Sequence, residues 1–161
     1  MRKIAPCLWF DGNAEEAVNY YVSIFQDSNI DHVVRWGEGW GEIGDGQQGK
    51  VLAIDFTIEG RAFKALNGGP HFKFNEAVSF FVECKDQTEV DMFWEKLTAD
   101  GGAPSQCGWL KDRFGLSWQI VPVRLMALMT DLDKAKATRV TQAMLKMQKI
   151  DVATLERAAA A

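Results

Sequence analysis

Alternation of apolar and polar side chains marks out the strands. Within Gly108–Pro122, a tight Asp112-Arg113-Phe114-Gly115 turn leads into Ser117, Gln119 and Val121, which alternate with Trp118 and Ile120. One face is bulky and apolar, suited to packing under a helix. The other sets a lone neutral amide, Gln119, among smaller side chains, as a strand lining a cavity does. Val51 to Ile58 alternates in the same way, with Leu52, Ile54, Phe56 and Ile58 set against Val51, Ala53, Asp55 and Thr57. Glu59-Gly60 turns this strand into a hairpin with Arg61 to Asn67, which Gly68-Gly69-Pro70 ends. Further strands are expected over 3–10, an edge strand with proline inside it, and over 29–36, 77–84 and 103–110.

Two stretches carry helical spacing instead. Asn13, with Glu16 as reciprocal partner, opens a helix bearing Ala14, Ala17, Val18, Tyr21, Ile24 and Phe25. Asp86, with Glu89, opens a second one bearing Val90, Phe93, Trp94 and Leu97, which Gly101-Gly102 ends. The two caps and faces superpose at a constant offset of 73 residues, from Asn13 onto Asp86 through Ile24 onto Leu97. Each helix follows a strand and precedes three strand candidates, so a βαβββ unit is used twice. The expected fold class is α+β. Two βαβββ modules, residues 1–75 and 76–122, form a curved, mostly antiparallel sheet around a cleft. A C-terminal helical extension, 123–161, completes one structural domain. In it Leu125, Leu128, Met129 and Leu132 share a face. Asp133 is placed to cap a helix with Ala137, Val140, Met144 and Met147, and Asp151 a last helix with Leu155. This tail is expected to cover the sheet or clasp a second subunit. Its stripe of Met126, Met129, Met144 and Met147 reads as adaptable apolar packing.

Composition narrows the partners. The 161 residues are 47% hydrophobic and 25% charged, the balance of a soluble globular protein. A net charge of −4, with no run of Lys and Arg longer than two, argues against nucleic acid and anionic membranes. No apolar stretch approaches the roughly 20 residues that span a bilayer. Met1-Arg2-Lys3-Ile4-Ala5-Pro6 enters a strand pattern at once, with no room for a signal peptide, so a cytoplasmic protein is expected. Cys7, Cys84 and Cys107 are widely spaced with no CxxC pair, and are expected as reduced, buried thiols. Residues 37–50 hold six glycines and read as a mobile loop. Trp36 and Trp40 in and beside it are candidates for a lid.

At this point several motifs carry a family resemblance. The paired βαβββ order resembles the vicinal oxygen chelate superfamily, which includes glyoxalase I, bleomycin- and fosfomycin-resistance proteins and extradiol dioxygenases. More narrowly, Leu8-Trp9-Phe10-Asp11-Gly12-Asn13-Ala14-Glu15-Glu16-Ala17, Leu66-Asn67-Gly68-Gly69-Pro70, and Gly108 to Asp112 with Gly115 to Pro122 resemble its PhnB-like branch. Ala143 to Asp151 is similar to that branch as well. Its members commonly carry the label 3-demethylubiquinone-9 3-methyltransferase.

The resemblance implies two chemistries that the residues can test. Metal-dependent members of the superfamily place His and Glu ligands on the inward faces of the first, fourth, fifth and eighth strands. Aligned by strand, those places fall near Ile4 or Pro6, at Ala65 or Asn67, at Ala77 or Ser79, and at Gln119. None is an imidazole or a carboxylate, and an amide is a poor donor to a divalent cation. His32 and His71 lie off these places. The usual metal site is therefore expected to be absent, and no cofactor is expected. Methyltransferases of the common α/β type use a glycine-rich turn between a parallel strand and a helix. Here the glycines of 37–49 sit between antiparallel strands, and Gly68-Gly69-Pro70 leads into no helix.

Three functions remain open. One is a binding module holding a small organic molecule in the cleft, with Gln119, Asn67, Ser79, Asp55, Trp36 and Trp40 as candidate contacts. Another is an enzyme of the superfamily, a lyase or transferase, in which Gln119, Asn67 or Ser79 orients substrate and Asp55 or Asp112 serves as acid or base. Burial on the strand's smaller face is expected to raise the pKa of Asp55. Asp112 reads more simply as a turn former. The last is a purely structural dimer. A homodimer is expected in each case.

Overall fold

The computed structural model describes residues 4–38 and 44–161. The chain forms two compact units, residues 1–73 and 74–161. Each has its own open, four-stranded mixed sheet.

In the first unit, β1 (Cys7–Phe10) leads into α1 (Ala14–Ile24), followed by β2 (Asn29–Arg35), β3 (Val51–Ile58) and β4 (Arg61–Asn67). The sheet order is β1-β4-β3-β2. β1 runs parallel to β4, and the other two pairs are antiparallel. Helix α1 buries Ala14, Ala17, Val18, Tyr21 and Ile24 against the face that carries Leu8, Phe10, Ile54, Phe56, Phe63 and Ala65. The eight-residue alternation of β3 puts Ile54, Phe56 and Ile58 under the helix and leaves Ala53, Asp55 and Thr57 on the open side.

The start of α1 departs from expectation. Asn13 has φ −107° and ψ 18°, outside the extended region a side-chain cap requires, and its side chain makes no capping bond. Asn67 supplies the acceptor from β4 instead: its Oδ1 takes the Ala14 N–H at 3.0 Å.

The opposite face of β4 is closed over by Trp9. Its indole Nε1 donates to the Gly69 carbonyl at 2.8 Å, and Phe72 meets the ring edge-on at 4.9 Å between centroids. A Cβ on Gly68 would lie 2.2 Å from that indole. This explains why the strand ends in Asn67-Gly68-Gly69: the first residue caps a helix, and the second must be bare to let a tryptophan lie flat. Gly68→Ala is expected to expel the ring and cost about 2–4 kcal/mol from overpacking and the lost indole bond. Urea unfolding followed by tryptophan fluorescence checks it; an unchanged midpoint counts against this packing role.

The second unit repeats the order with β5 (Ser79–Cys84), α2 (Gln87–Thr98), β6 (Ala103–Pro104), β7 (Trp109–Lys111) and β8 (Ser117–Pro122). Helices α1 and α2 begin at Ala14 and Gln87, the same offset that the caps show in sequence. The sheet order is β5-β8-β7-β6, with β8 parallel to β5 and antiparallel to β7. Asp86 caps α2 through the Glu89 N–H, and the Glu89 carboxylate returns to the N–H of Lys85, one residue earlier than a standard capping box. Val90, Phe93 and Leu97 are buried on α2, and Leu110, Trp118 and Ile120 on the sheet.

The expected strand 103–110 is interrupted. Cys107 (φ 59°) and Gly108 (φ 84°) turn the backbone, and their N–H groups bond Met147 and Gln148 instead of a neighbouring strand. The strand expected over 77–84 begins only at Ser79; the Asn75 side chain takes the Ala77 N–H in a turn before it.

Helices α3 (Val123–Met129), α4 (Lys134–Met144) and α5 (Val152–Ala160) belong to this second unit. Val121, Leu125, Leu128, Val140, Ile150, Leu155 and Ala159 form one buried cluster, flanked by Met129, Met144 and Met147. Asp133 and Asp151 cap α4 and α5 as expected. Leu132, assigned by periodicity to the α3 face, lies past the helix end and is 93% exposed. No helix among the described residues is long and apolar enough to cross a membrane.

The cysteines are all free, but only Cys84 is buried; Cys107 is half-buried and Cys7 exposed. Cys7 alternates out of the buried side of β1, where Leu8 and Phe10 point. Burial pushes the Cys84 thiol up to about 12 from its ordinary 9. The folded value lies above the unfolded one, so stability is full below the unfolded pKa and is lost as pH rises towards the folded pKa. At pH 8, a thiol reagent is expected to label Cys7 rapidly and Cys84 only after unfolding. The parent is also expected to lose more stability between pH 8 and 10.5 than Cys84→Ala does, measured by urea midpoint. Equal slopes would contradict the assignment.

Candidate functional site

The chemistry gathers on the side of each sheet away from α1 or α2, which in the second unit is open around Phe81 and Glu83 but covered at Val121, where the C-terminal helices pack. In the second unit, register places Ser79, Phe81 and Glu83 of β5 beside Ser117, Gln119 and Val121 of β8. Trp109 and Lys111 of β7 lie opposite Gln119 and Ser117. Gln119 Nε2 donates to Ser79 Oγ at 2.9 Å, so two of the sequence-predicted contacts meet directly. Towards β6, a cavity of about 220 Å³ is lined by Glu76, Ala103, Pro104, Ser105, Trp109, Leu110, Lys111 and Ser117. Lys111 Nζ donates to Glu76 Oε1 at 2.5 Å, and that bond holds the Glu76 carboxyl below the usual glutamate range. Ser117 is 1% exposed, and its Oγ has no hydrogen-bond partner. Sequence reasoning did not single out Glu76, Lys111 or Ser117. The β7–β8 hairpin, which pairs Lys111 with Ser117, was the signal that could have found those two; Glu76, outside every strand, carried no such signal.

The open face of the first unit is more ordinary. Asp55 lies on it but is not buried as expected: its side chain is 44% exposed and accepts a bond from Lys64 Nζ at 2.6 Å. That bond holds the Lys64 ammonium above the usual lysine range. Asn67 lies on the helix side, with both ends of its amide engaged: Oδ1 by Ala14 and Nδ2 by the Val51 carbonyl at 2.9 Å. Trp36 is half-buried at the base of the glycine loop, where its N–H and C=O bond Lys50 and Gly49. Trp40 lies outside the described residues.

Asp112 is a turn residue. Its Oδ1 accepts from Phe114 and Leu116 N–H at 2.9 and 3.0 Å, and its Oδ2 from the Trp118 indole at 2.9 Å.

The strand alignment used for metal ligands needs correction. Ile4 and Pro6 precede β1, and Ala65 and Asn67 face the helix. The residues on the face away from the helix are Cys7 and Trp9 on β1, Lys64 and Leu66 on β4, Ser79, Phe81 and Glu83 on β5, and Ser117, Gln119 and Val121 on β8. The corrected set brings in one thiol, Cys7, one carboxylate, Glu83, and no imidazole, which does not fit the set of His and Glu ligands that the resemblance implies for metal-dependent members. Among the described residues no three His, Cys, Asp or Glu side chains come together.

The comparisons agree with the architecture. The family described as 3-demethylubiquinone-9 3-methyltransferase matches residues 2–121. A structure from Bacillus cereus, described as a putative 3-demethylubiquinone-9 3-methyltransferase, PhnB protein, is 34% identical, with a TM-score of 0.67. The likeness covers 76% of this chain and all of that one. A protein of Pseudomonas aeruginosa is similar in fold, with 20% identity, a TM-score of 0.62 and coverage of 76% of this chain and 98% of its own. No curated protein matches. With the family match running over residues 2–121 and a relative 34% identical over 76% of the chain, the chain belongs to the 3-demethylubiquinone-9 3-methyltransferase family, the PhnB-like branch of the vicinal oxygen chelate superfamily.

Proposed function

We propose that this protein binds a small organic molecule on the open face of its sheet, without the metal site usual in the superfamily, and works as a homodimer. The observation that carries this reading is the open face of the second unit. It sets the neutral Gln119–Ser79 pair beside Trp109 and a cavity of about 220 Å³. A few placed polar groups beside aromatic surface are what small-molecule sites provide. Gln119 can orient a ligand by its amide but cannot serve as acid or base. Exposed apolar Val78 and Phe81, at 65% and 50%, support the dimer.

The alternative is an enzyme of the same superfamily, a lyase or transferase of unknown substrate; a purely structural dimer is the third reading. Elemental mass spectrometry of untagged protein, before and after incubation with Zn²⁺, Mn²⁺, Fe²⁺ and Ni²⁺, is expected to give well under one metal per chain. A library of small organic compounds screened by ligand-observed NMR is expected to give hits that Gln119→Leu weakens about tenfold, the worth of one placed hydrogen bond. Stoichiometric metal would overturn the non-metal reading and favour the enzyme. No hits that compete for this face would favour the structural dimer.

A further inference from the structure

The cavity at the β6–β7 edge pairs features that the general reading leaves unused. Its walls carry one cation, Lys111, and one anion, Glu76, held together at 2.5 Å. Both side chains reach solvent, at 38% and 63% exposure, so the pair can open without uncovering a buried charge. Beside Lys111 in register stands Ser117, a residue of the cavity lining that is 1% exposed and whose buried hydroxyl has no partner. A buried hydroxyl without a partner is costly, and a ligand oxygen arriving there recovers a bond that folding alone does not make. Trp109, Leu110, Pro104 and Ala103 supply the remaining, apolar wall.

We infer that this cavity takes a small zwitterion of the α-amino-acid class. The inference rests on the proposed small-molecule role and names the ligand chemistry. The carboxylate of such a ligand meets the Lys111 ammonium and the Ser117 hydroxyl. Its ammonium meets the Glu76 carboxylate, and an apolar side chain lies along Trp109 and Pro104. The ligand exchanges one ion pair for two and leaves the site neutral. A lone carboxylate or a lone amine takes one member of the Lys111–Glu76 pair and strands the other, so each binds more weakly. The volume matches a ligand of about ten non-hydrogen atoms, below the range of drug-sized pockets.

The test is isothermal titration of the full chain with L-leucine, isopentylamine and 4-methylpentanoate, which share one apolar body and differ only in charge. Leucine is expected to bind at least tenfold more tightly than either truncated analogue. Glu76→Gln is expected to weaken leucine and the amine but not the acid. Lys111→Met is expected to weaken leucine and the acid but not the amine, and Ser117→Ala to weaken leucine about fivefold. Unchanged thermal melts show that the variants are folded. Equal affinity for all three compounds, variants without this selectivity, or no binding of leucine overturns the inference. If leucine fails while neutral compounds still compete at Gln119, only the zwitterion assignment falls; if both fail, the small-molecule reading falls with it.

Discussion

Asp112→Ala is expected to destabilise the protein by about 3–5 kcal/mol, because the alanine removes the carboxylate that accepts from three donors, two of them in buried bonds. Asp112 is 3% exposed, yet its carboxylate takes the N–H groups of Phe114 and Leu116 and the indole N–H of Trp118. The first two bonds hold the turn between β7 and β8. The third fixes the tryptophan that fills the space beneath α2. Each lost bond to a charged acceptor is worth roughly 1.5–3 kcal/mol, and partial entry of water brings the total below the sum. For a chain of this size the melting temperature should fall by roughly 6–20 °C. Asp112→Asn separates the bonds. Asparagine keeps one oxygen for the turn but turns an amide N–H₂ towards the Trp118 indole, so about half the loss is expected. Circular dichroism melts of both variants decide it. A fall of less than about 2 °C for the alanine variant would show that the turn holds without its carboxylate.

The parts of the fold legible in the sequence were those with a local cause. Strand β3 was readable because Ile54 to Ile58 alternates cleanly, although at its start Val51 is buried and Leu52, expected on the Ile54 face, is only half-buried. Helices α4 and α5 were readable because aspartate stands one residue before each. What could not be read depends on partners distant in sequence. The acceptor at the start of α1 comes from Asn67, 53 residues away. A lone asparagine at the end of a strand gives no sign that it faces a helix rather than a cleft. The same one-residue question of face misplaced the metal-ligand alignment on β1 and β4, since a slip of one residue moves every side chain to the other side of a sheet. For the candidate site, Gln119 and Ser79 were found because both lie within clean strand patterns. Lys111 and Ser117 were missed because pairing across a hairpin, rather than position along a strand, brings them together.

Gly108→Ala should produce a loss of comparable size through a different cause. The residue has φ +84°, where an L side chain costs about 1–2 kcal/mol. A Cβ there would also lie 2.8 Å from the Ile120 carbonyl oxygen and 3.2 Å from the Ile150 side chain. The first is backbone in the central strand and cannot step aside, so overpacking adds about 1–3 kcal/mol. The position is crowded because three segments meet at it. The Gly108 carbonyl accepts the Ile120 N–H at 2.8 Å, while its own N–H reaches Gln148 at 2.7 Å and the Cys107 N–H reaches Met147 at 2.8 Å. One residue without a side chain thus ties the β7–β8 hairpin to the chain between α4 and α5. Ile150 in turn lies in the buried cluster of those helices. Hydrogen exchange therefore distinguishes this variant from an ordinary destabilised one. Gly108→Ala is expected to lose amide protection at Ile120 and across α4 and α5 before the first unit is affected. Uniform loss over both units would mean that Gly108 does not act as the joint between hairpin and helices.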